Sequence, residues 1–312
     1  MTPRVDNTRR VLILFPGALG DFLCVLPSIH ALQQEHGGAL VIANPGALEL
    51  IEHGPFATAS MDRREVADLF AASEPHEATR ALFGDFAVAH SWTGYDHPGF
   101  AARLRSLSSG IVHLHKFRGM APREHVVDYH ARCVGLPPSR LQVWTTSSDD
   151  EWASQWLARH FDSRAPLLLA HPGSGAARKN WEGFDELVRR LSARSHAVAA
   201  LLGPAEVERT PMLDLRVPTV RNVGLRRIAA LLRRAVLYIG NDSGISHLAR
   251  AVGTPSLVLF GATDALRWAP RGATVIEVPE QCAQCGPERL CTHRIPVDRV
   301  AAEIERLTSA AV

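Results

Sequence analysis

Residues 11–34 read VLILFPGALGDFLCVLPSIHALQQ. The first five, Val11 to Phe15, form a continuous apolar run of the kind found in strands buried on both faces. After a short turn, apolar side chains recur at helical spacing from Asp21 to Gln34. A Gly37-Gly38 stop then leads into a second apolar run at residues 39–43, so the chain is predicted to open with a βαβ unit.

The same alternation continues along the chain. Further strands are predicted at residues 86–90, 111–114, 166–170, 197–202, 236–239 and 256–260, and helices at 124–134, 181–192, 206–214, 225–233, 245–252 and 297–307. A polar stretch at residues 145–150 caps a helix that runs through Phe161, and we place the domain boundary close to residue 162. The predicted class is α/β, with an N-terminal Rossmann-like domain at 1–162 and a second at 163–312. Two such halves imply doubly wound parallel sheets that face each other across a cleft.

Composition excludes several classes of protein. With 312 residues, 46% hydrophobic and 21% charged, the chain can form sizeable cores, which excludes intrinsic disorder. A formal charge of +2 does not indicate a nucleic-acid-coating protein. No apolar run approaches the roughly 18 residues that span a bilayer, and the N-terminus lacks a signal-peptide pattern, so we expect a soluble, cytoplasmic protein.

One strand-to-helix turn has the features of an anion site. Residues 238–248 read YIGNDSGISHL. Unpaired N–H groups and the helix dipole at such a turn attract phosphate oxygens, so a diphosphate is predicted at Ser243 and Gly244. The alternative is that Asp242 and Ser243 only cap the helix. Neither G-x-G-x-x-G nor G-x-x-x-x-G-K-[ST] occurs in the chain.

A second strand-to-helix loop, residues 171–181, carries Lys179. Lys116 and Lys179 are the only lysines among 34 basic residues, so an ammonium at this place is conspicuous. At the carboxyl edge of the same sheet, Lys179 would bind a phosphate as a point charge and neutralise a leaving group. The alternative for Lys179 is an exposed surface position, which we expect for Arg178.

A third loop presents a carboxylate. Asp21 follows the first predicted strand and opens the first helix. It is either a helix cap or a general base that takes a proton from an attacking hydroxyl, provided that its pocket raises its pKa toward the working pH.

These loops, taken together, resemble glycosyltransferase family 9, whose best-known members are the ADP-heptose:lipopolysaccharide heptosyltransferases. The resemblance covers five stretches in order: GALGDFLCVLPSIHAL, PLLLAHPGSGAARKNWEGFDELVRRL, ALLGPAEVE, YIGNDSGISHLARAVGTPSLVLFGATD and CAQCGPERLC. It implies the GT-B architecture, with the donor in the C-terminal domain, and transfer that inverts the anomeric centre without a metal. We also expect the final helix to pack back on the N-terminal domain.

The resemblance extends to individual positions. Asp21 is similar to the family's catalytic base, and Lys179 to the lysine that binds the donor phosphates and supports the departing nucleoside diphosphate. Further donor contacts are implied for Ser174, Gly175, Glu206, Asp242, Ser243, Gly244 and His247. Glu206 is similar to the glutamate that holds the ribose diol, although Glu208 lies only two residues away.

The implied reaction moves a heptose from ADP-heptose to an inner-core lipopolysaccharide acceptor, with no cofactor and no nucleic-acid partner. Residues 97–123 contain five basic and no acidic side chains, which suits an anionic glycolipid acceptor and a peripheral contact with the inner face of the cytoplasmic membrane. Solvated surface arginines are the alternative. Another nucleotide sugar, a protein or small-molecule acceptor, an epimerase of similar fold and a non-catalytic nucleotide-sugar-binding module also remain open.

Cysteine spacing raises the question of a metal. Cys282, Cys285 and Cys291 form C-x2-C-x5-C, with His293 just beyond. A zinc or iron site would need an assured fourth ligand. We expect reduced structural thiols and no metal.

Overall fold

A computed structural model describes residues 10–162, 165–193, 196–203, 216–261, 263–278 and 292–309. The chain divides into two compact units, Met1–Trp144 and Thr145–Val312. Each contains a parallel sheet with helices between its strands. The predicted α/β class with two Rossmann-like domains is confirmed.

The first unit has a sheet in the order β3-β2-β1-β4-β5, and its neighbouring described strands are all parallel. Its strands are β1 (Val11–Phe15), β2 (Ala39–Ala43), β3 (Phe56–Ser60), β4 (Val88–Ser91) and β5 (Ile111–Leu114). Its helices are α1 (Leu19–His36), α2 (Pro45–Leu48), α3 (Arg64–Asp68), α4 (Glu77–Phe83), α5 (Pro98–Leu107) and α6 (Val126–Val134). Every residue of β1 and β2 is buried, as the unbroken apolar runs predict for strands covered on both faces.

The second unit has a sheet in the order β11-β10-β9-β6-β7-β8, again with parallel described neighbours. Its strands are β6 (Leu167–His171), β7 (Ala197–Leu202), β8 (Thr219–Arg221), β9 (Leu237–Asn241), β10 (Ser256–Phe260) and β11 (Thr274–Glu277). Its helices are α7 (Ser147–His160), α8 (Phe184–Ser192), α9 (Leu225–Leu232), α10 (Gly244–Ala251), α11 (Ala265–Trp268) and α12 (Val297–Ser309). The predicted helix at 206–214 lies outside the described residues.

The division between the units lies earlier in the chain than residue 162. Helix α7 belongs to the second unit, because it packs along α9 and joins it through ion pairs. Asp149 of α7 lies 3.3 Å from the guanidinium Nε of Arg226. Its carboxylate also accepts hydrogen bonds from the backbone N–H and the hydroxyl of Thr146, which fixes the start of α7. The polar stretch therefore begins the second unit instead of ending the first.

The last helix packs within the second unit, and the expectation that it also packs on the N-terminal domain stays a prediction. Val300 and Ile304 of α12 are fully buried in the core formed by β6, β7, β9 and α8. Asp298 also pairs with Arg190 of α8, with 2.5 Å between Oδ1 and a guanidinium nitrogen. The apolar face of α12 is thus covered by the nearest sheet. No helix among the described residues combines the length and the apolar character needed to cross a membrane.

Candidate active site

In the second sheet, strand order reverses between β6 and β9, which are neighbours although they are far apart in sequence. Ligands of open parallel sheets bind beyond the carboxyl ends of the strands at such a reversal, where the flanking loops diverge. The loop with Lys179 follows β6 and the Asp242-Ser243 turn follows β9. The topology therefore brings the two predicted phosphate-binding loops to one position.

Lys179 ends a short 3-10 turn, Ala177–Lys179, and reaches the neighbouring loop. Its Nζ donates a hydrogen bond to Oδ2 of Asp242 over 2.6 Å, and the two side chains are 24% and 9% exposed. Thr263 donates its hydroxyl hydrogen to the same oxygen over 2.5 Å. Asp242 therefore holds the ammonium beside the turn that follows β9, so Lys179 is not the freely exposed surface residue that the alternative predicted.

Ser243 is the N-cap of α10, and its hydroxyl accepts a hydrogen bond from the backbone N–H of Ser246. The same hydroxyl lies 3.3 Å from Nδ1 of His171, the last residue of β6. Burial lowers the pKa of His171 to about 4, so its ring is neutral at pH 7. Capping is therefore part of the role of Ser243, and phosphate binding by the first turn of α10 stays a prediction.

The remaining predicted donor residues occupy different positions around these loops. Ser174 is buried, and its hydroxyl lies 2.7 Å from both the carbonyl oxygen of Ala176 and Oδ1 of Asn180. Gly175 is exposed, with open space where a side chain would project. Gly244 opens α10, and His247 is buried in the same helix. Glu206 lies outside the described residues.

Asn241 is a residue that the sequence interpretation missed. It is fully buried at the end of β9 and accepts a hydrogen bond from the backbone N–H of Trp181 over 3.1 Å. Its Nδ2 donates to the carbonyl oxygen of Pro172 over 2.7 Å. A polar residue that closes an otherwise apolar strand, directly before the Asp242 turn, is the signal that identifies it in the sequence.

In the first unit, strand order reverses between β1 and β4. Asp21 lies just beyond the carboxyl end of β1, in the first turn of α1. Ala18 occupies the N-cap position, so Asp21 is not the N-cap residue of this helix. The Asp21 side chain is 19% exposed, and a guanidinium nitrogen of Arg118 lies 3.9 Å from Oδ1. This places a partly exposed carboxylate at the position where ligands of this sheet class bind.

Aromatic and imidazole rings pack beside β1 at the same edge of the sheet. Phe15 lies 5.7 Å from Trp92 and 5.7 Å from His130, measured between ring centroids. His115 lies 4.6 Å from Trp92, and its Nε2 is 3.0 Å from Nδ1 of His90. Burial lowers the pKa of His90 and of His130 to about 3 and that of His115 to about 4. The cluster is therefore uncharged at pH 7.

The basic residues of the stretch 97–123 are divided between α5 and the segment that joins β5 to α6. Arg103 lies in α5 and donates to the carbonyl oxygen of Ser73. Lys116 and Arg118 follow β5, with Lys116 Nζ 5.4 Å from the ring centroid of Tyr95 and the Arg118 guanidinium 5.7 Å from that of Phe117. Both cations are exposed at the edge that carries Asp21.

Among the residues that the structure describes, no group of three or more His, Cys, Asp or Glu side chains could hold a metal ion. Cys282, Cys285 and Cys291 lie outside these residues, so the expectation of reduced thiols without metal stays a prediction.

A protein-family model described as glycosyltransferase family 9 (heptosyltransferase) matches residues 113–294, which is more than half of the chain. The chain belongs to glycosyltransferase family 9. Among curated relatives, Lipopolysaccharide heptosyltransferase 3 of Escherichia coli K12 is 31% identical over 194 residues, covering 56% of each protein. The chain spans about half the length of the curated relatives it matches.

Solved structures of family 9 proteins share the fold over nearly the whole chain. The glycosyltransferase family 9 protein of Veillonella parvula superposes with a TM-score of 0.78 at 18% identity, covering 99% of each chain. ADP-heptose LPS heptosyltransferase II of E. coli gives a TM-score of 0.69 at 15% identity, covering 97% of this chain and 99% of that one. At these identities the likeness establishes the GT-B fold alone.

Proposed function

We propose that this protein transfers a heptose from ADP-heptose to an inner-core lipopolysaccharide acceptor, with inversion at the anomeric carbon and without a metal ion or cofactor. The observation that carries the proposal is that Lys179, Asp242 and the N-terminus of α10 lie together where strand order reverses in the second sheet, between β6 and β9. Membership of family 9 supports glycosyl transfer. The heptose and the adenine nucleotide are proposed because the matched relatives are named for lipopolysaccharide and ADP-heptose.

The second unit would bind the donor diphosphate. Backbone N–H groups of Gly244 and the following residue, together with the dipole of α10, would face the phosphate oxygens. Lys179 would donate to the same diphosphate. When the bond between the anomeric carbon and the phosphate oxygen breaks, its electron pair stays on that oxygen, and the ammonium stabilises the added charge.

The first unit would supply the base. The acceptor hydroxyl oxygen would attack the anomeric carbon from the face opposite the diphosphate, which inverts that carbon. Asp21 would take the proton of this hydroxyl as the attack proceeds. Lys116 and Arg118, exposed at the same edge, would attract a phosphorylated or carboxylated acceptor. We therefore propose an anionic glycolipid acceptor, no nucleic-acid partner, and a cytoplasmic protein in peripheral contact with the inner face of the cytoplasmic membrane.

The test uses wild-type protein and Asp21→Asn. ADP, UDP and GDP are compared by thermal shift, since a ligand that binds only the folded protein raises Tm according to its affinity. Transfer from ADP-heptose to an inner-core acceptor is then measured. We expect preferential stabilisation by ADP and, in Asp21→Asn, retained ADP binding with turnover reduced by about 10²-fold or more.

The outcomes separate the alternatives. Unchanged turnover in Asp21→Asn overturns the role of Asp21 as base. Preference for UDP or GDP indicates a family 9 enzyme with another nucleotide sugar. ADP binding without transfer to lipopolysaccharide acceptors indicates a different acceptor or a binding protein.

A further inference from the structure

The loops that carry Asp21 and Lys179 begin with the same dipeptide. Pro16-Gly17 follows β1, and Pro172-Gly173 follows β6. In both units the carbonyl oxygens of this dipeptide lie beyond the regular strand, where sheet hydrogen bonding ends. Buried carbonyl groups at such positions require another donor.

In the first unit that donor is Asn44, the residue directly after β2. Its Nδ2 donates to the carbonyl oxygens of Pro16 and Gly17 over 3.0 and 2.9 Å. Strand β2 is the parallel neighbour of β1, so Asn44 ties the Asp21 loop to the adjoining strand. Gly17 then contacts α1 so closely that an added Cβ would lie 2.8 Å from Cβ of Asp21.

In the second unit the donor is Asn241, the last residue of β9, which is the parallel neighbour of β6. Its Nδ2 lies 2.7 Å from the carbonyl oxygen of Pro172 and 3.4 Å from that of Gly173. Its Oδ1 accepts from the N–H of Trp181, at the far end of the loop that holds Lys179. One buried amide therefore fixes both ends of this loop.

We propose that Asn44 and Asn241 are a matched pair of positioning residues, each of which holds a Pro-Gly turn so that the reactive side chain after it is correctly placed. Asn44 would position the carboxylate of Asp21, and Asn241 the ammonium of Lys179. The catalytic roles of Asp21 and Lys179 rest on the proposed function. The positioning of the two Pro-Gly turns by the asparagine amides rests on the hydrogen bonds described above. Neither asparagine needs to touch a substrate.

The two sites predict different kinetic defects, so each variant controls for the other. In Asn241→Ser, the Kd of ADP, measured by calorimetry, should rise about tenfold or more, because Lys179 is displaced. In Asn44→Ser, the Kd of ADP should stay within about twofold of wild type, while kcat at saturating substrates falls about tenfold or more. A general loss of structure would change the Kd of ADP and kcat in both variants, and would not affect one quantity in each.

A second readout is independent of activity. Hydrogen exchange followed by mass spectrometry should show faster exchange in residues 16–22 for Asn44→Ser only, and in residues 172–181 for Asn241→Ser only. If Asn241→Ser does not fold, Asn241→Asp retains the shape and the acceptor for Trp181 but cannot donate to Pro172, and is used in its place. If the wild-type protein does not bind ADP, the proposed donor is overturned. The hydrogen-exchange test still applies, because it needs no ligand.

Three results would overturn the proposed positioning roles of Asn44 and Asn241. These are unchanged hydrogen exchange in both loops, equal changes in both loops for both variants, or faster exchange with wild-type ADP affinity and kcat. The last would mean that the asparagines stabilise the turns without positioning the reactive side chains.

Discussion

Lys179 Nζ lies 2.6 Å from Oδ2 of Asp242, so the ammonium is paired with a nearly buried carboxylate. A charge-assisted hydrogen bond of this kind holds a long, flexible side chain in one place. A diphosphate that binds here meets an oriented cation, and it must also tolerate the nearby carboxylate.

We predict that Lys179→Ala weakens ADP binding by about 1.5–3 kcal/mol, the usual contribution of a hydrogen bond to a charged group. Calorimetric titration with ADP measures this directly. Arg178→Ala is the matched control, because Arg178 is an exposed cation one residue away and should leave the Kd nearly unchanged. Equal losses in the two variants would show that only the net charge of the loop matters.

Ser243 can be tested separately as a cap and as a phosphate contact. Ser243→Ala removes the N-cap of α10 and should lower the free energy of unfolding by about 1 kcal/mol. Ser243→Asp keeps an effective cap but places a carboxylate at the predicted anion site, so stability should be retained while ADP affinity is lost. Retained ADP binding in Ser243→Asp would contradict a diphosphate at this helix start.

Gly17→Ala should lower both stability and turnover. The added Cβ would lie 2.4 Å from the ring of Phe15, which is fully buried and cannot move aside, and 2.8 Å from Cβ of Asp21. We expect a loss of about 1–3 kcal/mol in urea unfolding, together with reduced kcat. Gly46→Ala is the control: Gly46 lies in α2 with open space around it, and this change should be neutral or slightly stabilising.

Stability should decrease on mild acidification. Unfolded histidines titrate near pH 6.5, whereas burial lowers the pKa of His90 and His130 to about 3 and that of His115 and His171 to about 4. Between these values the unfolded chain binds more protons, so the free energy of unfolding falls as pH drops from about 6.5 toward 4. Each histidine contributes up to about 1.4 kcal/mol per pH unit over this range.

Urea unfolding at several pH values measures the slope of the free energy of unfolding against pH. His130→Phe should make it shallower without loss of stability at pH 7, because His130 packs among aromatic rings and its Nδ1 is buried without a hydrogen-bond partner. A wild-type slope in His130→Phe would show that His130 does not contribute to the acid sensitivity.

Treatment with a strong chelator should leave turnover unchanged, because the proposed chemistry uses a lysine and a helix N-terminus where other enzymes use a metal. Elemental analysis of the purified protein should find iron and zinc well below one atom per chain. Activity that is lost on chelation and restored by either metal would show that the cysteine-rich segment near residues 282–291 has a functional ion.

The sequence predicted the strands best where both faces are covered. The predicted strands at 11–15, 39–43, 111–114, 197–202 and 256–260 match β1, β2, β5, β7 and β10 residue for residue. All of these except β5 are fully buried and are apolar over all or nearly all of their length, as strands covered on both faces require, whereas β5 is only partly buried. Strand β3, with the sequence FATAS, was missed because it is only partly buried and carries mixed residues. Short β8 was missed for a similar reason, since only Val220 of its three residues is buried.

The candidate site was predicted in part. Strand-to-helix turns identified Lys179 and Asp242, and the reversal of strand order explains why they meet although 63 residues separate them. Asn44 and Asn241 were not predicted. The role of Asn241 depends on the pairing of β6 with β9, which sequence order does not show. Asn44 follows the second strand of the predicted βαβ unit, but the sequence gives no sign that its amide reaches the Pro16-Gly17 turn. The sequence also does not show that Asp149 of α7 pairs with Arg226 of α9, because the two helices are far apart in the chain. The domain boundary was therefore placed too late.

The attachment of α7 to α9 decides where this chain can be cut. A fragment that starts at Thr145 keeps the Thr146 cap, the whole of α7 and the carboxylate that meets Arg226. One that starts at residue 163 leaves α9 without the helix that packs along it and Arg226 without that carboxylate. A fragment meant to contain the second unit by itself should therefore begin at Thr145, since the shorter piece would leave exposed the surface that α7 covers in the whole chain.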